Sequence, residues 1–338
     1  MKVLITGGAG FVGSNLASRL AQEGMDIVIL DNLSRRGTER NIDWLLGKHP
    51  GSIRFIEGDI RNPEACSKAA ADAGIIFHLA AQVAVTTSVT DPRNDFEVNA
   101  LGTFNMLEAA RGSSADPVFL LSSTNKVYGG MEDIEVVEGD ERYRFADYPD
   151  GVGEDRPLDF HSPYGCSKGC ADQYVRDYSR IYGLRTLVFR MSCIYGPRQF
   201  GNEDQGWVAH FLISGMKGNP VTIYGNGKQV RDILHVDDLL DAYLEGVKRA
   251  DEIKGEVFNV GGGPDNTLSL LELISLMEEL YGREMNYSFA DWRPGDQPVY
   301  ISDTRKVRGR FGWKPKYPVR KGIGNLHSWI TENKGLFA

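Results

Sequence analysis

Six short, mainly apolar runs decide what this chain can fold into: Val3 to Thr6, Ile27 to Leu30, Ile53 to Ile56, Ile75 to Leu79, Val118 to Leu121 and Thr186 to Phe189. Runs of this length without polar alternation read as strands buried on both faces of a parallel sheet. Helix-patterned segments lie between them, at Phe11 to Glu23, Pro63 to Ala73, Asp95 to Arg111 and Cys166 to Tyr182. Strand and helix alternating in this way build βαβ units, so the expected class is α/β, a doubly wound parallel sheet of Rossmann type. Beyond residue 190 the texture changes to loops rich in Gly, Pro and Asn. The main part of 1–190 is therefore expected to form the sheet domain. Residues 191–338 are expected to form mostly a smaller, interleaved α/β lobe that closes over a substrate, with some segments returning to the first domain. The acidic segment from Gly129 to Phe160 has two readings, a solvated surface excursion or a flap over the active site.

Composition narrows the partners. The 338 residues, 41% of them hydrophobic, suffice for a sizeable core. A net charge of -8 gives no basic field for nucleic acid or an anionic membrane, so any phosphate must be held by local features. No run approaches the roughly 20 apolar residues of a membrane span, and Gly7 breaks the first run too early for a secretory signal. The cytoplasm is the expected compartment. Cys66, Cys166, Cys170 and Cys193 do not make a disulfide framework and are read as small packing residues. No His or Cys pair at zinc spacing completes Cys166 and Cys170, so no metal site is expected.

The loop after the first run reads Gly7-Gly8-Ala9-Gly10-Phe11-Val12-Gly13. Between a strand and a helix, with Asp31 after the next strand, it is the dinucleotide-binding fingerprint: glycines let the backbone approach a pyrophosphate that sits on the helix N-terminus. Asp31 would accept hydrogen bonds from the adenosine ribose and repel a 2′-phosphate, which argues for NAD over NADP, although Arg35 and Arg36 stand close behind. Asp59 and Ile60, after the third run, would sit beside the adenine. Leu79, Ala80, Ala81 and Gln82, after the fourth, would line the cofactor toward its nicotinamide.

Tyr164-Gly165-Cys166-Ser167-Lys168 puts a phenol and an ammonium one helical turn apart on one face. Bringing a tyrosine from a pKa of about 10 to about 7 costs on the order of 4 kcal/mol, and one cation about 4 Å away at a dielectric of 20 supplies about that much. Tyr164 could then serve as a general base. A hydroxyl cluster, Ser122-Ser123-Thr124, ends the fifth run, at the sheet edge where such folds bind ligands.

On these motifs, and on Ser122 to Gly129, Asp159 to Gly169 and Gly225 to Asp232, the chain resembles the extended short-chain dehydrogenase/reductases of the nucleotide-sugar epimerase and dehydratase group. Within that group it is most similar to the CDP-paratose 2-epimerases, or CDP-tyvelose epimerases. The resemblance implies tightly bound NAD, a nucleotide-diphosphate sugar as substrate, and Thr124, Tyr164 and Lys168 as catalytic residues. It extends the cofactor contacts to Asn32, Ser34, Asn99, Ser122, Tyr164 and Lys168. It places the substrate against Thr124 and Asn125, with Arg231 and Arg293 on the diphosphate and Tyr224 near the base. Dehydratases of the group carry an Asp-Glu pair after the threonine, where this chain has Asn125 and Lys126, so elimination is unsupported. Carbon 2 over carbon 4 rests on the resemblance alone, and a net NAD(P)-dependent nucleotide-sugar reductase would use the same three residues. Cys193 stands where many relatives have an asparagine that contacts the nucleotide sugar. The family's usual homodimer, a four-helix bundle that can build higher oligomers, would pack Asp95 to Arg111 and Cys166 to Tyr182. The stripe Tyr174, Tyr178 and Tyr182 faces either that partner or the sheet.

Overall fold

In a computed structural model, which describes residues 1–293 and 295–337, all six apolar runs are strands of one sheet. The chain begins β1 (Lys2–Thr6), α1 (Phe11–Gln22), β2 (Asp26–Asp31), α2 (Thr38–Lys48), β3 (Ile53–Glu57), α3 (Pro63–Ala70), β4 (Ile75–His78), α4 (Val85–Thr90), α5 (Pro92–Phe96), α6 (Gly102–Arg111) and β5 (Val118–Thr124). A hairpin, β6 (Val136–Glu138) and β7 (Tyr143–Phe145), comes before α7 (Ser162–Tyr182) and β8 (Arg185–Met191). Then follow β9 (Cys193–Tyr195), α8 (Trp207–Lys217), β10 (Val221–Tyr224), β11 (Val230–His235), α9 (Val236–Lys248), α10 (Ala250–Ile253) and β12 (Val257–Val260). The last elements are β13 (Thr267–Ser269), α11 (Leu270–Tyr281), β14 (Tyr287–Ala290), β15 (Val299–Tyr300), α12 (Arg305–Phe311) and α13 (Val319–Glu332).

The sheet order is β12-β8-β5-β4-β1-β2-β3. Parallel register sets Val3 opposite both Ile27 and Ile75, Ile27 opposite Ile53, and Ile75 opposite Val118. Strand order reverses between β1 and β4, and the loops leaving those two strands diverge there, which is where this architecture opens a ligand crevice. One face of the sheet (Leu4, Val28, Ile76, Phe119, Leu121) packs on Cys66 and Ala69 of α3, Met106 and Leu107 of α6, and Ala171 and Val175 of α7. Truncating one such leucine to alanine costs about 2–5 kcal/mol.

The chain divides into two compact units. The first is Met1–Val127, Ser162–Arg190 and Leu240–Phe258; the second is Tyr128–His161, Met191–Leu239 and Asn259–Ala338. The boundary expected at 190 is thus one of several. The second unit has its own core, with Phe211 and Leu212 of α8, Leu273 and Met277 of α11, and Ile323 and Ile330 of α13. Residues 129–160 belong to that unit and are tied to it by hydrogen bonds, while more than half of them stay exposed on its surface. Tyr143 N–H donates to the Lys228 carbonyl (2.8 Å), Arg142 forks onto Glu272, and the Asn259 amide donates to the Val152 carbonyl (2.8 Å).

Several local expectations need correction. Asp95 to Arg111 is helical throughout, as expected, but not uniformly so: α5 runs through a π-helical turn over Glu97–Leu101 into α6. Helix α7 starts at Ser162, four residues early, so Tyr164 is already in its first turn. The seventh strand, β12, and the helices α2 and α4 fall in stretches assigned no element. Of the thiols, only Cys66 is buried, and Cys166 is exposed.

Candidate active site

The glycine loop and helix α1 form an anion-ready end. Gly10 is the N-cap of α1, no side chain caps the helix, and no acidic residue lies in its first turn, so the leading N–H groups have no side-chain partner. The glycines have different reasons to be glycine. Gly7 has φ +69°, and a Cβ there would lie 2.7 Å from Ala80 N; one at Gly8 would lie 2.7 Å from Ile29 Cγ2. A Cβ at Gly13 would drive into the Gly7 carbonyl oxygen and lie 2.6 Å from Gly8 Cα. Only the Cβ direction of Gly10 is nearly open, with the Gly7 oxygen at 3.1 Å. Three glycines therefore make the turn and seat the helix, and Gly10 leaves the room in which a pyrophosphate can touch backbone. Phe11 and Val12, half-buried, open the helix.

Asp31 ends β2 with one oxygen accepting from Ala9 N–H (3.0 Å) and the other from Leu33 N–H (2.9 Å). Burial raises its pKa, against those two N–H groups and Arg35. Each oxygen keeps a free lone pair direction for a ribose hydroxyl. Asn32 caps Ser34 N–H (3.1 Å) and donates to Asp59 (2.8 Å), so Asn32, Ser34 and Asp59 form one rim. Asp59 is held down to about 2, chiefly by its hydrogen bonds from Arg61. Ile60 packs under Gly102 and its carbonyl accepts from Asn105 (3.0 Å). After β4, Leu79 N–H donates to the Thr6 carbonyl (3.1 Å) and Ala80 N–H to the Thr6 hydroxyl (3.2 Å), with Ala81 next in the loop.

At the end of β5, Thr124 bears on the Tyr164 phenol and lowers its pKa, and it accepts Lys126 N–H at 3.2 Å; the neutral Asn125 side chain lies 3.4 Å from its hydroxyl. Lys168 Nζ donates to the Ser122 carbonyl (2.7 Å), and the carboxylates acting on it are Asp172 and Asp95. Burial pushes Tyr164 up to about 12; Thr124 and the positive charge of Arg35 oppose that, while Asp95 adds to it. Burial also lowers Lys168 to about 8.

Polar residues that no motif marked complete this unit. Asp95 accepts from the Ser167 hydroxyl (2.5 Å), Gln82 (2.8 Å) and Asn99 (3.1 Å). Asn99, on the π-helical turn, also donates to Ser167 (3.0 Å) and to the Gln82 carbonyl (3.0 Å), and accepts Gln82 N–H (2.9 Å). Gln82 and Asn99, expected to touch the cofactor, are thus engaged with each other. Arg190 forks onto Asp172, which also accepts from Ser123 (2.9 Å), tying β8, α7 and β5 together. The signals available were Asp172 four residues after Lys168, and Asp95 four before Asn99, each one helical turn away.

The substrate residues expected in the lobe lie in the second unit. Arg231 is buried and donates to Asp296 (2.5 Å) and to the Val230 carbonyl (2.8 Å). The Arg293 guanidinium stacks 3.8 Å from the Tyr224 ring centre and donates to the Glu203 carbonyl (2.9 Å); Tyr224 donates to the Glu203 carboxylate (2.6 Å). Cys193 is half-buried in β9, opposite Ile233. Among the described residues no three His, Cys, Asp or Glu side chains are grouped to hold a metal, and no helix is long and apolar enough to cross a membrane.

Comparison with known proteins agrees with this geometry. The chain is 45% identical to a CDP-paratose 2-epimerase of Salmonella typhi, over 98% of this chain and 99% of that one. It is 31% identical to a putative UDP-glucose 4-epimerase of Methanocaldococcus jannaschii, over 98% and 99%. The solved structure of Thermus thermophilus UDP-glucose 4-epimerase in complex with NAD superposes with a TM-score of 0.82 at 31% identity, covering 98% of this chain and 100% of that one. Residues 3–261 match the NAD dependent epimerase/dehydratase family, and the chain belongs to that family.

Proposed function

We propose that the chain is a nucleotide-sugar epimerase that inverts carbon 2 of a CDP-hexose, with Thr124, Tyr164 and Lys168 as its catalytic residues. The observation that carries this reading is Thr124 acting on the Tyr164 phenol at the end of β5, followed by Asn125 and Lys126 in place of an acid pair. The tilt toward carbon 2 is supported by likeness to a CDP-paratose 2-epimerase along nearly the whole chain.

Gly7, Gly10, Phe11, Val12 and Gly13 would hold the NAD pyrophosphate and Asp31 the ribose, with Asn32, Ser34, Arg35, Asp59 and Ile60 around the adenosine. Leu79, Ala80, Ala81, Gln82, Asn99, Ser122, Tyr164 and Lys168 would serve the other end. When bound, NAD supplies the reversible two-electron oxidation of one sugar carbon. Tyr164 takes the proton of that carbon's hydroxyl onto its phenolate oxygen and later returns it. Thr124 orients the hydroxyl and shares its proton, and Lys168 contributes a fixed positive charge. Asn125 and Lys126 offer no carboxylate pair for eliminating water, so the keto sugar is left to turn and be reduced from its other face. Arg231 and Arg293 would pair the substrate diphosphate, Arg231 by exchanging Asp296 for phosphate, with Tyr224 near the base.

The reading includes a cytoplasmic homodimer. Four free thiols fit a reducing compartment. Phe96, Leu101, Phe104, Tyr174, Ile181 and Tyr182 leave exposed apolar surface on α5 to α7, fit for a four-helix bundle, whereas Tyr178 turns inward and donates to Glu108 (2.7 Å). The stripe therefore splits between partner and core.

Purified protein is incubated without added NAD with CDP-paratose or CDP-glucose in deuterated water and followed by proton NMR. Inversion at carbon 2 without deuterium incorporation is expected. Inversion only at carbon 4 of a nucleotide hexose, the activity named for the 4-epimerase relatives, would keep the Tyr164 chemistry and overturn carbon 2.

A further inference from the structure

Four ionisable side chains are buried around the Tyr164 turn: Lys168 is 4% exposed, Arg190 2%, and Asp95 and Asp172 0%. Two positive and two negative charges sum to zero, as charges taken out of water must to be tolerated. They do not pair evenly. Arg190 Nε and Nη2 grip both oxygens of Asp172, each at 2.9 Å, so that pair is closed. Lys168 spends its hydrogen bond on a neutral group, the Ser122 carbonyl. Asp95 receives only neutral donors, the Ser167 hydroxyl and the amides of Gln82 and Asn99, and a carboxyl satisfied by three donors is the acceptor-only, ionised form. The cation and anion left over are Lys168 and Asp95.

We propose that Asp95 shares with Asp172 the role of counter-ion to Lys168, a positioning residue whose negative charge helps keep that amine protonated while its hydrogen bond from Ser167 holds the turn between Tyr164 and Lys168. The proposal rests on the reading of Tyr164 and Lys168 as a catalytic pair. Helix α7 presents Tyr164, Lys168 and Asp172 to this cluster, β8 presents Arg190, and the loop after β2 presents Arg35. From β4, His78 bears on Lys168, but burial and then the lysine hold it down to about 3, neutral across the working range. Tyr243 of α9 is hydrogen-bonded to Ser122, and burial keeps its phenol protonated. The arginines keep their charge, so Lys168 is the group that titrates near neutrality, lowered by burial and held up by Asp172 and Asp95.

Asp95→Asn preserves shape and removes the charge. In full-length protein carrying 15Nζ-labelled lysine, with Lys168→Met to assign the resonance, the Lys168 titration midpoint is expected to fall by about one pH unit. The alkaline limb of turnover should fall with it, kcat should drop at pH 8, and KM should stay unchanged. Asp95→Glu should restore the midpoint, and Ser167→Ala should lower kcat without moving the limb. An unmoved Lys168 midpoint in Asp95→Asn overturns the proposal; if that variant does not fold, Asp95→Ser carries the same expected shift. Should the wild-type chain turn over no nucleotide sugar, the proposed function fails, and the NMR midpoint still decides on the counter-ion.

Discussion

Gly10→Ala separates cofactor binding from folding. Gly10 has φ -71° and ψ 179°, which alanine adopts freely. Replacing glycine at such a position stabilises by about 0.4–1 kcal/mol through the unfolded chain, and the one close neighbour of the new methyl, the Gly7 oxygen at 3.1 Å, takes back a similar amount. Stability without ligand should thus stay within about 1 kcal/mol of the parent. The methyl nevertheless fills the space through which the loop backbone meets a pyrophosphate. At NAD about a hundredfold above its Kd, binding adds about 2.7 kcal/mol. With an unfolding entropy of about 2.1 cal/mol/K per residue, about 0.7 kcal/mol/K for this chain, the parent should gain about 4 °C in Tm. Gly10→Ala should gain almost none and should purify with a lower 260/280 nm absorbance ratio. Gly13→Ala, which forces overlap with the Gly7 carbonyl, should instead lose about 1–3 kcal/mol with or without NAD. A Gly10→Ala protein that gains the full 4 °C would refute the assignment of that space to the pyrophosphate.

Tyr164→Phe should keep bound NAD and lose about 10²–10⁴-fold in kcat, read by the same NMR assay. Arg190→Met strands a buried Asp172 and should cost about 3–5 kcal/mol in urea unfolding, whereas the double change with Asp172→Leu should recover most of that. The folded pKa of Asp59 is depressed from 3.8 to about 2, so its contribution is present above about pH 4 and lost as pH falls through about 2. Asp59→Asn should therefore cost about 1–2 kcal/mol at pH 6 and little at pH 2, by denaturation at both. Phe104→Glu with Ile181→Glu, both on exposed positions of α6 and α7, should shift light-scattering mass from dimer to monomer.

The parts legible in the sequence were those whose signal is local. A buried parallel strand is a contiguous apolar run, and the glycine loop and the Tyr164–Lys168 turn each fit within seven residues. Strand β12 was missed because Val257–Val260 is only four residues long and is interrupted by polar Asn259 before a glycine loop. The π-helical turn at Glu97–Leu101 left no trace because an extra residue in a turn disturbs periodicity by less than natural variation does. Gln82, Asp95, Asn99 and Ser167 meet across separations of up to 72 residues, and nothing in their neighbours announces the meeting.

The chain passes from one compact unit to the other at 127/128, 161/162, 190/191, 239/240 and 258/259. Neither unit is then a cassette that duplication or recombination could have moved whole, and neither can be expressed by cutting the gene once. On the ribosome the sheet unit cannot close until residue 258 has emerged, when three quarters of the polypeptide has been made. Until then β8 waits with the edge that β12 will cover unpaired, an interval in which such intermediates are open to aggregation and chaperones have something to hold.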